Sequence, residues 1–393
     1  MPNLSLVKNE DNRSYESKIR VHRATFFYRA ALILIVAIAL ILLIWLQYKR
    51  HIYTAYDIVS SIEREKSVNA RDMRFEDTIL TYSKDGAHCT DNKGTVKWNQ
   101  TYEIQEILMD INKDVSAFAS YNGRNIYVNS TSEQMGTVTT NMPIRDIAVA
   151  RNGYVTAILA DTNVTWVNTY DVNKDEMIYK ASTTMSNSGY PAALDLSPSG
   201  ELLAVAYVYV DAGMVKTNIS FYNFGAVGDN QSDYLVSVHT YTDMLVPDIR
   251  FIDDQTAVAI GDSRIMIFKG KQKPVSEAEY SYDEEIRSVF SGNGYVGVVF
   301  YSEDAESRYR MDVFDTDGKR RGRYYFNVDY TDVLFEKNDF VVYNETECVI
   351  MTYAGDVKFE GSFTTSIDTI IPTNTAYRYI LVTDETLDTI QLK

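Results

Sequence analysis

Residues 193–210 read ALDLSPSGELLAVAYVYV. A short apolar strand runs into a tight polar turn, Ser197-Pro198-Ser199-Gly200, and a strongly alternating strand follows. Successive side chains of a strand point to opposite faces, so this alternation reads as a pleated hairpin and not as a helix. The pattern recurs on both sides. Relatives are IRDIAVARNGYVTAILAD from Ile144, PDIRFIDDQTAVAIGD from Pro247, IRSVFSGNGYVGVVFYSED from Ile286, TDVLFEKNDFVVYNET from Thr331 and IDTIIPTNTAYRYILVTD from Ile367. A weaker copy, EILMDINKDVSAFAS, starts at Glu106.

The second half of each unit is another hairpin, with Asp- and Gly-rich turns such as Asp91-Asn92-Lys93-Gly94 and Asp315-Thr316-Asp317-Gly318. Asp caps a turn through its side chain and Gly accepts positive φ. Four strands in a unit of about 40–50 residues is the period of a propeller blade. The expected fold is therefore all-β, a β-propeller preceded by one N-terminal transmembrane helix. Six complete units run from about Glu106 to Ile367, with partial units at Ile79–Gln100 and Asp368–Lys393. Both partial units read as second and third strands and do not merge easily into one blade. Eight blades is the first reading and seven the second.

From Ala30 to Tyr48 the chain reads AALILIVAIALILLIWLQY without a charge. A bilayer core of about 30 Å needs roughly 20 such residues. Ala37 and Ala39 suggest a cleavage site, but apolar residues continue past them, which favours an uncleaved anchor. Basic residues are denser before the segment (Lys8, Arg13, Lys18, Arg20, Arg23, Arg29) than after it (Lys49, Arg50, Arg64, Lys66). That bias places the N-terminus in the cytoplasm and the C-terminal domain outside the cell, on a single-pass anchor in the cell membrane. Ile52, Tyr56, Val59 and Ile62 stand three and four apart, which reads as a helical continuation. The expected organisation is a basic tail over 1–29, a membrane helix over 30–48, a helical stalk or linker over 49–72 and an extracytoplasmic propeller over 73–393.

A net charge of −16 argues against nucleic acid as a partner. The 30 tyrosines and 16 phenylalanines suit half-buried pleated surfaces. Cys89 and Cys348 lie far apart among alternating apolar residues and read as buried free thiols.

The SPSGELLAVAY stretch looks like the blade signature of WD40-like and TolB-like propellers. The basic tail, the anchor, a first blade with YSKDG (Tyr82–Gly86) and TVKWNQTYEI (Thr95–Ile104), and the propeller after them resemble the bacterial proteins grouped as domain of unknown function 5711. That resemblance implies a surface location and a fold, and it carries no activity or site residues with it.

No catalytic or metal-binding spacing stands out. The four histidines, His22, His51, His88 and His239, are scattered, and no zinc motif, nucleophile elbow or phosphate loop is present. Asp315-x-Asp317-Gly318 is a fragment of a calcium loop, but Lys319, Arg320 and Arg321 follow it, so it reads as a plain turn. The Asn-x-Ser/Thr triplets at Asn99, Asn129, Asn163, Asn218, Asn230 and Asn344 read as products of composition. No cofactor is expected.

One repeated feature stands out. An acid opens the first strand of most units: Glu106, Asp146, Asp195, Asp248, Asp332 and Asp368. In a propeller that strand lines the channel, so these six carboxylates would form a ring that binds a cation, an amine or a basic peptide. The alternative is that each Asp accepts backbone hydrogen bonds and orders the crossover between blades. Unit Ile286 departs from the pattern with Arg287-Ser288. The expected function is a non-enzymatic binding or scaffold module, anchored in the membrane, for a protein, peptide or glycan. The alternatives are a propeller hydrolase or quinoprotein-like enzyme with its site in the channel, and a scaffold for envelope assembly. Only three tryptophans, with no recurring Trp98 equivalent, count against quinoprotein docking.

Overall fold

The computed structural model describes residues 11–49, 52–66, 69–185, 188–231 and 233–393. The chain divides into two compact units, Met1–Ile52 and Tyr53–Lys393.

The first unit holds one helix, α1 (Asp11–Lys49). Its stretch Ile19–Leu43 is 25 residues long and apolar enough to cross a membrane. At 1.5 Å per residue it covers about 37 Å, more than a bilayer core of about 30 Å. None of it is buried, so it is not a core helix of the fold. Leu32, Ile33, Leu34 and Ile35 all stand more than 60% exposed, an arrangement that water penalises and lipid does not.

The second unit is an eight-bladed β-propeller, each blade a four-stranded antiparallel meander. Blade 1 spans 71–101, blade 2 107–139, blade 3 144–183, blade 4 190–242, blade 5 248–281, blade 6 286–326 and blade 7 332–362. Blade 8 is shared between the chain ends. Thr369–Pro372, Arg378–Val382 and Thr386–Leu392 supply its three inner strands, and Tyr56–Glu63 adds the outermost.

The strand Tyr56–Glu63 corrects the expected helical stalk over 49–72. The three-residue spacing of Tyr56, Val59 and Ile62 arises in a β-strand instead, and Ile52 lies before it. A bulge between Ile58 and Ser60 shifts its register by one residue. Tyr56 packs into the cluster between blades 7 and 8, and Ile62 into the one between blades 8 and 1. Pairing with the last strand satisfies backbone groups that a solvated helix would have satisfied internally. The propeller thus begins at Tyr53, not at residue 73. Arg71–Phe75, whose first two residues fell in the assigned stalk, is the inner strand of blade 1. Both partial units are therefore complete blades, and the count is eight.

Each of the eight blade interfaces has its own apolar cluster. Phe221, Phe251 and Phe268 fill the one between blades 4 and 5, and Phe335, Phe340 and Tyr324 the one between blades 6 and 7. The cluster between blades 8 and 1 is small: Ile79, Ile371, Ile380, Val382 and Leu387, with Ile62 against it. Ion pairs supplement it there. Lys66 Nζ lies 2.7 Å from Asp368, 2.8 Å from Asp384 and 3.5 Å from Asp72, and Arg64 donates to Asp72 at 2.9 Å.

The turn at Ser197–Gly200 shows why its residues are needed. Ser197 Oγ accepts the Leu202 amide at 3.0 Å. Gly200 has φ +73°, and a Cβ there would lie 2.5 Å from Asn152 Oδ1 of blade 3. Cys89 and Cys348 are both buried free thiols.

Candidate functional site

The innermost strands leave an edge facing the axis, with backbone amides that have no strand beside them. They enclose a cavity of about 640 Å³ lined by residues of blades 1 to 7, among them Arg74, Asp110, Asp146, Asp195, Asp248 and Arg250.

Three of the six expected ring acids, Asp146, Asp195 and Asp248, do line this cavity. The other three do not. Glu106 precedes the inner strand of blade 2 and borders a separate cavity of about 910 Å³ with Arg71, Tyr82, Lys84 and Asp85. Asp332 accepts the Val333 amide at 2.8 Å and the Tyr343 hydroxyl at 3.2 Å. Asp368 belongs to the ion-pair group with Lys66. The expected six-membered ring is thus replaced by a cluster on blades 2 to 5: Glu106 and Asp368 precede their inner strands, and Asp332, first in its strand as Asp248 is, is held by Tyr343. The fourth member, Asp110, was missed: it sits four residues after the opening acid of its unit. Asp72, the inner-strand acid of blade 1, was concealed by the stalk reading.

Two of the cluster acids join neighbouring blades. Asp110 Oδ2 of blade 2 accepts the Val149 amide of blade 3 at 2.6 Å, and Asp195 Oδ2 of blade 4 accepts the Phe251 amide of blade 5 at 2.5 Å. Val149 and Phe251 are each the last residue of their inner strand. Asp195 Oδ1 also takes the Leu196 amide at 2.8 Å, and Asp146 takes that of Ile147 at 2.9 Å. These contacts are the backbone-capping role weighed in the sequence.

Burial dominates the electrostatics. It pushes the Asp110 carboxyl up to about 6, with nearby Asp248 adding and the backbone amides and Arg250 opposing. Asp146 rises to about 6 through burial, with Asp110 and Asp248 contributing. Asp195 is held well above the usual carboxylate range by burial and then by Asp110. Arg250 Nε lies 2.9 Å from Asp248 Oδ2 and its Nη1 3.3 Å from Ser291 Oγ, so a cation of the chain already stands among the acids.

The histidines do not assemble a site. His22 lies on α1, and His51 is outside the described residues. His88 is half-buried, and burial favours its neutral form. His239 packs against Phe268 with ring centroids 4.8 Å apart and the rings tilted by 45°, and contacts Pro274 O at 3.2 Å. Among the described residues no three His, Cys, Asp or Glu side chains are placed to hold a metal ion. Trp98 donates to Ser130 O at 2.6 Å and joins blade 1 to blade 2.

Residues 48–392 match a family described as a family of unknown function, DUF5711. The chain belongs to this family. No curated protein matches the sequence. Among solved structures, the Dos1 propeller is similar over 86% of this chain and 95% of its own, at 9% identity and a TM-score of 0.54. BamB from Moraxella catarrhalis is similar over 86% of this chain and all of its own, at 13% identity and a TM-score of 0.49. Hsv2p from Kluyveromyces lactis covers 80% of this chain and 98% of its own, at 10% identity and a TM-score of 0.47. At these identities the likeness of the DUF5711 chain to the Dos1 propeller concerns the fold.

Proposed function

We propose that this DUF5711 protein is a non-enzymatic scaffold. On this reading α1 anchors it in the cell membrane with its tail in the cytoplasm, and the propeller presents a rigid surface outside to a protein or peptide partner. One observation carries the reading: the channel acids Asp110 and Asp195 are engaged by amides of the next blade. Groups held by backbone rigidify a ring and are poorly placed to exchange protons with a substrate. A rigid, closed platform loses little entropy when a partner docks on it.

The test is crosslinking of the full chain in its own membranes, followed by capture and comparison with Asp146→Asn/Asp248→Asn. A partner retained by both forms supports a surface scaffold. Loss of the partner in the channel variant would overturn this and favour a second reading, a cationic ligand seated in the cavity. The cavity's volume and the raised carboxylates are what favour that alternative.

A further inference from the structure

The first 52 residues hold eight Lys and Arg against three Asp and Glu, so the remainder of this chain of net charge −16 carries −21. Against that background, two adjacent turns concentrate positive charge. The turn between the third and outer strands of blade 5 reads Lys269-Gly270-Lys271-Gln272-Lys273. The corresponding turn of blade 6 ends at Lys319, and the outer strand after it opens with Arg320-Arg321.

The two turns are joined across the blade interface. Tyr280 Oη donates to Gly318 O at 3.1 Å, Thr256 Oγ1 to Thr316 O at 3.2 Å, and Lys269 Nζ lies 3.5 Å from Asp317. Nearby acids are otherwise occupied or few. Asp315 accepts the amides of Asp317 and Lys319 within its own turn, and Glu277 packs against Gly318. Arg320 turns to Asp312 at 3.2 Å. Lys271, Lys273, Lys319 and Arg321 are exposed and form no ion pair among the described residues. Four unpaired cations thus share one edge of an acidic body.

The face is also defined by topology. All blades run in the same order, so the turns before the outer strands lie at one end of the ring. The chain enters the propeller at that end, through Tyr53 and the outer strand Tyr56–Glu63 of blade 8. An anionic surface repels most of the propeller and attracts this edge, so the charge distribution selects one orientation.

We propose that this edge of blades 5 and 6 docks on an anionic phospholipid surface, an inference that rests on the anchored reading above. The full chain is placed in nanodiscs of neutral phosphatidylcholine, or of the same lipid with about 30% phosphatidylglycerol. Amide hydrogen exchange is then followed in peptides covering 268–275 and 315–323. Exchange in both peptides is expected to slow roughly tenfold in the anionic discs, and the effect to vanish at about 0.5 M NaCl. It should also vanish in Lys271→Gln/Lys273→Gln/Lys319→Gln/Arg321→Gln, whose exposed neutral substitutions leave the melting midpoint unchanged. Equal exchange in the two discs overturns the docking, as does protection that survives in the quadruple variant. Equal protection by inorganic phosphate in neutral discs also overturns it, in favour of a free-phosphate site. A chain that enters neither disc overturns the anchor itself, a failure visible before any exchange is measured.

Discussion

Asp146 titrates near pH 6 in the folded chain, against 3.8 for an ordinary aspartate. Between those values the folded form keeps a proton that the unfolded chain has lost. Its contribution to stability is therefore complete below 3.8 and disappears as pH rises through about 6. Asp146→Asn removes the cost of ionising a buried group while keeping an acceptor for the Ile147 amide. The variant should exceed the parent near pH 7.5 by up to about 3 kcal/mol and match it near pH 4. Chemical denaturation at the two pH values checks this, and an equal difference at both would refute it. Asp195→Ala is the contrasting case, since the Leu196 and Phe251 amides both lose their acceptor. Its expected cost is about 2 kcal/mol or more, read from the urea midpoint.

At the scale of the element, the outer strand Tyr56–Glu63 closes the ring by pairing with Thr386–Leu392. The cluster it helps to seal is small, so single residues weigh heavily. Ile62→Asp places a charge against Ile79 and Leu387 and should destabilise the propeller by about 2–4 kcal/mol. Val59→Asp, exposed beside the bulge, should stay within about 0.5 kcal/mol. Thermal melts of the pair decide whether the strand acts through its buried face. Lys66→Met leaves Asp72 and Asp368 without their shared cation and should cost about 3 kcal/mol. If it proves neutral, the ion pairs there contribute nothing beyond the apolar seam.

For the whole molecule, the anchored reading makes a directional claim. Protease added to intact cells should digest the propeller and spare a tag placed on the N-terminus. The reverse pattern would invert the orientation inferred from Lys and Arg density. The eight apolar clusters tie each blade to two neighbours, so unfolding should be one cooperative transition. The seam between blades 8 and 1 should be the first to admit solvent, and hydrogen exchange in Thr386–Leu392 should be faster than in the third strand of blade 5, Arg264–Lys269.

The amino-acid order by itself determined the repeated four-strand unit, the apolar helix and the absence of a recognisable catalytic spacing. Each of these is written in local periodicity, which a strand or helix imposes on consecutive residues. Only the tertiary structure decided how the ring closes and which acids meet. Tyr56–Glu63 has a partner more than 300 positions away, and its bulge disguises a strand's period as a helix's. Asp110 joins Asp146, Asp195 and Asp248 because inner strands converge on an axis, whereas Glu106 and Asp368 precede their strands and Asp332, first in its strand as Asp248 is, is held by the Tyr343 hydroxyl. Convergence on an axis is a property of the closed ring, and no single repeat contains it.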